Sequence, residues 1–430
     1  MTTRTDPEGS GRVRTNGSVG GAASRPGLRA SAEMELLACC ARGEMEPGYR
    51  ERARALLRSE LDWPGLTVLA DRHKLLPLLW WHLRRESAAV PEANAVALQR
   101  SFSRNAARML QLSGELLALT RLLGDRGIPA VPYKGPVLGA YLYDNLALRQ
   151  AGDLDLLVRR GDVGRARALL LERGYRPRHA LARGGKEFMV RSRYSEVLDR
   201  DDGSTVELHW AFTNGDIALP LDLDVLAPNL RTLPFGGGSV AIFGDEDLLL
   251  ILCVHGSKHR WDRLEWLCGV AELLRRRTAE LDWDAVVSRA ASLGVRRMVL
   301  LGALLAHDLL DAPVPGQVLE LARADGPVSS LAAEVPELFL TDAVDAEAGG
   351  NLATDSFRLR LRERPRDRLR FIWYRITTPS RPESWRALPI GKYALPLHGF
   401  VRPFGLAPKL IPALRGYVLR VRRFSRPSRS

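Results

Sequence analysis

Apolar residues recur at three- and four-residue intervals from residue 33 to residue 125, a period that predicts helices along that stretch. Inside it, ELDWPGLTVLADRHKLLPLLWWHLRR (60–85) sets Asp62 ahead of a helix whose first two positions are Trp63 and Pro64. A carboxylate cap followed by proline suits a helix start, because the cap oxygen takes a free amide and proline has none to satisfy. A related start, ELDWDAVVSRAASLGVRRMVLLGALLAH, recurs at 280–307, with Ala70 and Ala290 each ten residues after the opening Glu. This is one shared helix-start pattern, too short for a repeat architecture.

Between residues 126 and 243 the period changes. IPAVPYKG (128–135) is a short apolar run ending in Lys134 and Gly135, and the helix-like PVLGAYLYDNLAL follows it. DLDLLV then reads as a strand, VGRARALLLERGY (163–175) as a helix, and TVELHWAF (205–212) as a half-buried strand. Alternation puts Val206, Leu208 and Trp210 on one face of that last strand and Glu207 and His209 on the other. From Asp245 to about Asp311 the pattern is helical again, and the acidic TDAVDAEAGGNLATD reads as a linker.

The expected organisation is a disordered leader (1–32), an N-terminal helical region (33–125), an α/β core (126–243), a C-terminal helical domain (244–340), a linker (341–357) and a partly helical basic tail (358–430). The fold class is α+β, a mixed-sheet core flanked by helical regions.

Charge sharpens the picture at one end. The net charge is +13, but residues 356–430 hold 19 Arg and Lys against 3 Asp and Glu, while the first 355 residues carry 44 basic and 47 acidic groups. In RLRLRERPRDRLR (358–370) arginine takes every second position, which gives one positive face if extended and a scatter around the axis if helical. KLIPALRGYVLRVRR (409–423) is basic and amphipathic. Such a tail suits RNA, an anionic membrane surface or an acidic partner, and suits equally a solvated extension.

The longest apolar stretches, LLLILCV (248–254) and MVLLGALLAHDLL (298–310), fall short of the roughly 18–20 residues of a membrane span. The leader lacks an apolar signal core, and the four cysteines show neither metal spacing nor a disulfide framework. The expected location is cytoplasmic, with peripheral attachment to a membrane through the basic tail as a variant. Trp80, Trp81, Trp261 and Trp266 read as packing residues.

The candidate chemistry lies in RQAGDLDLLV (149–158). Side chains alternate on a strand, so Asp153 and Asp155 project the same way while Leu154 and Leu156 enter the core. Two close carboxylates repel unless a cation sits between them, and magnesium, which takes oxygen ligands and shares substrate phosphates, is the natural guest. Glu207 is the candidate third ligand. Lys134 and Gly135 offer a phosphate seat, a point charge beside a helix start where backbone amides can approach an anion. A D-x-D alone is weak, since it also marks metal-dependent sugar transferases and solvated loop ends.

Arg149 suits a phosphate contact or an acid at the strand entrance. His209 shares a face with Glu207 and suits orienting a carboxylate or a substrate hydroxyl, or a structural hydrogen bond. His255 and His259, four apart on a predicted helix, form a basic corner with Lys258 and Arg263. Interface packing and substrate or nucleotide contact both fit that corner, whereas zinc would need a third ligand the spacing does not supply.

The order YKGPVLGAYLYDNLALRQAGDLDLLV, then VELHW, then HGSKHRWDRLEWLCGVAELLRR (255–277), resembles an uncharacterised bacterial branch of the polymerase beta-like nucleotidyltransferase superfamily, whose members carry LKG...R..GDIDLLV...VELHW. The likeness covers roughly residues 60–310, with a fainter echo at 377–409. It implies a mixed-sheet nucleotidyltransferase core in which Asp153, Asp155 and Glu207 hold two magnesium ions. The implied reaction is attack by a hydroxyl on the α-phosphate of a nucleoside triphosphate with pyrophosphate leaving. The acceptor, whether small molecule, peptide, protein or RNA, is left open. Two departures stand out: Lys134 and Gly135 replace the Gly-Ser of the wider superfamily, and Gly269 stands where relatives carry Asp in WLCDVAELL. The rival functions are a nucleotide- or RNA-binding protein of this fold without turnover, and a D-x-D glycosyltransferase.

Overall fold

Both ELDW starts fold as their residues dictate. Asp62 Oδ1 accepts from the Gly65 amide at 3.0 Å and Asp282 Oδ1 from the Ala285 amide at 2.9 Å, each capping a helix that buries Ala70 or Ala290 completely. The computed structural model describes residues 31–179, 194–213, 217, 219–340 and 352–377. Five N-terminal helices come first: α1 (Ala32–Cys40), α2 (Pro47–Leu57), α3 (Trp63–Arg72), α4 (Leu76–Leu83) and the long α5 (Glu92–Gly124).

The mixed sheet follows. Its strands β1 (Ala130–Pro132), β2 (Leu154–Val158), β3 (Arg176–Pro177), β4 (Ser195–Asp199) and β5 (Thr205–His209) stand in the order β1-β2-β5-β4-β3. Only the central β2–β5 pair is parallel; its neighbours are antiparallel. Helices α6 (Gly135–Tyr143) and α7 (Val163–Glu172) flank it, and after the short α8 (Leu223–Leu226) a separate hairpin forms from β6 (Arg231–Phe235) and β7 (Gly238–Ile242). The hairpin turns at Gly236 and Gly237, both with positive φ, a conformation that suits paired glycines.

The C-terminal helices are α9 (Asp245–Lys258), α10 (Leu264–Arg277), α11 (Trp283–Leu293), α12 (Arg296–Leu310), α13 (Gly316–Ala324), α14 (Gly326–Leu338), α15 (Leu352–Arg360) and α16 (Pro365–Thr377). Of these, α9 to α15 share one apolar core with α1 to α4, running from Met34 to Leu361. A second core lies under the sheet, with Leu154, Leu156, Val206, Leu208 and Trp210 in it. Helix α5 gives Leu98 to the first core and Met109, Leu112, Leu116, Leu119 and Leu123 to the second, so it ties the two together.

The alternating arginines do not form one positive face. They sit on α15, a break and α16, where Arg360 binds Glu334 at 2.6 Å, Arg358 donates to the Lys258 carbonyl at 3.1 Å and Arg364 to the Ser292 carbonyl at 2.8 Å. The helical period turns each arginine to a different neighbour. Residues 1–30, 341–351 and 378–430, which include most of the expected leader, linker and tail, lie outside the described residues. No described helix is long and apolar enough to cross a membrane. The four cysteines are free and buried.

Candidate active site

Strand β2 is buried along its whole length, yet Asp155 stands in the middle of it, only 4% exposed. Parallel register sets Glu207 of β5 directly beside it, and His209 follows two residues later on the same face. Oxygens of Asp155 and Glu207 and a ring nitrogen of His209 lie within 4.8 Å of one another. His209 Nε2 is 2.9 Å from Asp155 Oδ1 and 3.5 Å from Glu207 Oε2, and Ser195 Oγ donates to Glu207 Oε1 at 2.6 Å.

Lys134, the cap residue of α6, reaches the same Asp155 Oδ1 at 2.8 Å. Gly135 follows with φ +62, and a Cβ there would come within 3.3 Å of the Asp153 carbonyl oxygen. A glycine is therefore what lets this helix start lie against the entrance of β2.

Burial pulls these charges one way and their partners the other. Burial would raise the pKa of Asp155, but the Lys134 charge and the His209 ring hold it well below the usual carboxylate range. Glu207 is likewise lowered, to about 2, its burial outweighed by His209 and Ser195. Burial would lower His209, and its bonds to Asp155 and Glu207 raise it instead. At Asp153 the Lys134 and His209 charges do not win. Burial, then the neighbouring Asp155 charge, lifts it to about 6.

The donor set fits a divalent cation. Two carboxylates and an imidazole converge from adjacent strands, and Asp153 lies beside them as a carboxyl whose ionised form needs a further positive charge. The cluster at ligand distance is not the expected trio: His209 joins Asp155 and Glu207, while Asp153 precedes β2 and stands outside the cluster.

A cavity of ≈ 320 Å³ opens from this point. Asp153, Asp155, Lys134, Gly135 and Arg149 line its sheet side, and His255 reaches it from α9. Lys74, Arg263, Glu265 and Trp266, from the helical regions, line it as well, and of these only Arg263 and Trp266 stand out in the sequence. Trp266 lines the cavity and also packs on His259, the rings tilted with centroids 4.6 Å apart. Arg108 and Asn105 of α5 were missed as well. Asn105 Nδ2 donates to the Ala147 and Arg149 carbonyls at 2.9 and 3.0 Å, and Arg108 to the Gly152 carbonyl at 3.1 Å, which fixes the loop into β2. Single polar residues in a long helix carry no sequence signal of that kind.

Other expected residues fall beside the cavity. Lys258 donates to the Tyr194 hydroxyl at 2.7 Å, and Tyr194 in turn faces His209 with centroids 5.9 Å apart. His259 packs between His255 and Trp266. Position 269 faces leucines: a Cβ there would meet Leu252 and Leu138 at 3.9 and 4.0 Å. The carboxylate that α10 does bring to the cavity is Glu265, one turn earlier.

Residues 59–311 match the model of a protein family described as an uncharacterised nucleotidyltransferase. No curated protein and no solved structure matches.

Proposed function

The chain belongs to this family of uncharacterised nucleotidyltransferases, and we propose that it transfers a nucleoside monophosphate from a nucleoside triphosphate to a hydroxyl acceptor, releasing pyrophosphate. The observation that carries this reading is the meeting of the Asp155, Glu207 and His209 cluster with a cavity lined by the cations Lys74, Lys134, Arg149 and Arg263.

Asp155, Glu207 and His209, with Asp153 beside them, would hold the divalent cation, for which we propose magnesium. When bound it would neutralise charge on the reacting phosphate and the attacking oxygen. Lys134 and Arg149 would grip phosphate oxygens as charge-assisted donors. Ser195 fixes the Glu207 carboxylate and Asp155 fixes the His209 ring, so that these donors are oriented before substrate arrives. Tyr133 packs edge-on against His209 with centroids 5.2 Å apart and keeps water from that side of the ring.

Calorimetry with each of the four nucleoside triphosphates, with and without magnesium, tests this reading. Wild type is expected to bind one or more of them in a magnesium-dependent way, and Asp153→Ala with Asp155→Ala to lose that binding. Failure to bind any triphosphate would remove the donor-site reading. Binding that ignores both magnesium and the double substitution would favour the protein without turnover, a reading that the occupied Asp155 Oδ1, already paired with Lys134 and His209, also supports.

A further inference from the structure

Three cations reach the cavity from three separate parts of the chain: Lys74 after α3, Arg149 before β2, and Arg263 before α10. None of them has an ion-pair partner among the described residues. Arg149 Nε is buried with no hydrogen-bond partner among the described residues, and the Arg263 guanidinium carbon lies 5.5 Å from the Trp266 ring centroid. Arg167 and Arg297, by contrast, pair with Glu196 and Asp325 at 2.8 and 2.9 Å. The carboxyls that share the cavity, Glu265, Asp153 and Asp155, form no ion pair with these three partly buried cations, so the trio leaves positive charge free to meet an anion that is brought in.

The backbone holds the trio in place. Lys74 sits at φ +58, a left-handed conformation that costs a non-glycine residue on the order of 1–2 kcal/mol. The preceding residue fixes it. His73 is fully buried, accepts the Leu264 amide on Nδ1 at 3.1 Å and lies 3.1 Å from the Phe339 carbonyl through Nε2. One imidazole therefore joins the residue before Lys74's side chain to the residue after Arg263, and locks the two cations in register although they come from opposite ends of the family-matched segment.

We propose that Lys74, Arg149 and Arg263 form a subsite for the β- and γ-phosphates of the triphosphate, the pyrophosphate half that leaves. This rests on the donor reading above. The acceptor oxygen forms a bond to the α-phosphorus, the bridging bond to the β-phosphate breaks with its electron pair on pyrophosphate, and the acceptor proton goes to solvent. Negative charge thus grows on the leaving group, and cations already in place there stabilise it without reorganising. Lys134 and the carboxylate cluster then handle the α-phosphate end, while Lys74, Arg149 and Arg263 hold the end that leaves.

The test compares binding of the preferred nucleoside triphosphate, its monophosphate and inorganic pyrophosphate, in magnesium, to wild type, Lys74→Ala and Arg263→Ala. Each substitution is expected to weaken triphosphate and pyrophosphate roughly ten- to a hundredfold, the loss of one charge-assisted hydrogen bond, and to leave the monophosphate within about twofold. Lys74→Arg should recover most of the Lys74→Ala loss, and it stands in for the alanine variant if that fails to fold, with Lys74→Gln as the neutral partner. Wild-type triphosphate binding that neither substitution weakens, or a monophosphate loss as large as the triphosphate loss, would overturn the subsite. Pyrophosphate binding lost in both variants while no nucleotide binds wild type would keep the subsite and overturn the donor reading. Absence of both would end both.

Discussion

His73 is the residue where physical chemistry makes the sharpest demand. Burial lowers its pKa from 6.5 to about 4, so the folded protein holds it neutral where the unfolded chain would protonate it. The unfolded state therefore binds more protons between those values, and stability contributed by the neutral ring is complete above about pH 6.5 and lost as pH falls through about 4. The gap is worth roughly 3 kcal/mol. Urea unfolding at pH 7 and pH 4.5 should show a smaller acid loss in His73→Gln, which keeps a donor and an acceptor but no titrating group. Equal losses in the two proteins would remove His73 as the acid-sensitive contact. Nothing in the sequence marks His73, because its partners Leu264 and Phe339 are 191 and 266 positions away.

Elements explain both what the sequence made legible and what it hid. The period-two alternation of TVELH and the apolar run after Asp153 suffice to predict β5 and β2, and parallel pairing then sets Glu207 beside Asp155 as expected. The same alternation put His209 on the Glu207 face, but it took the register to bring the ring within hydrogen-bond reach of Asp155. The cavity's helical lining was hidden because it depends on how α3 and α10 dock, which periodicity does not encode. That docking turns on the link between α9 and α10, where Arg260 and Trp261 both have φ near +59 and the fully buried Trp261 ring lies against two glycines. A Cβ at Gly256 would fall 2.3 Å from the ring, and one at Gly302 3.2 Å from it. Gly256→Ala should therefore cost about 1–3 kcal/mol by overpacking, despite the better helix propensity of alanine. It should also weaken triphosphate binding, since the displaced turn carries Arg263. Gly269→Ala, with only ordinary contacts waiting, should be neutral or stabilising by up to about 1 kcal/mol. Denaturant titrations of the pair check this, and equal costs would mean that the Trp261 packing does not constrain the turn.

At the scale of the whole molecule, the family-matched segment does not close its own core. Met34, Leu36 and Leu37 before it, and Phe339, Phe357 and Leu361 after it, are all buried in the first core, at 1% exposure or less. The basic stretch is thus partly structural: Phe357 lies in the core while Arg358 and Arg364 after it give their charge to carbonyls of α9 and α11. Arg358 ends on the Lys258 carbonyl, at the last residue of the helix that carries His255 into the cavity. Because this core is continuous and α5 joins it to the sheet core, the loss of one distal ring should be felt everywhere. Phe357→Ala is expected to cost about 3–5 kcal/mol and to lower the midpoint of one common unfolding transition, followed by far-ultraviolet dichroism and by tryptophan fluorescence. Coincident transitions that move together would tie residues 352–377 to the stability of the site. A substitution that left both transitions where they were would mean that α15 is appended to a core complete without it.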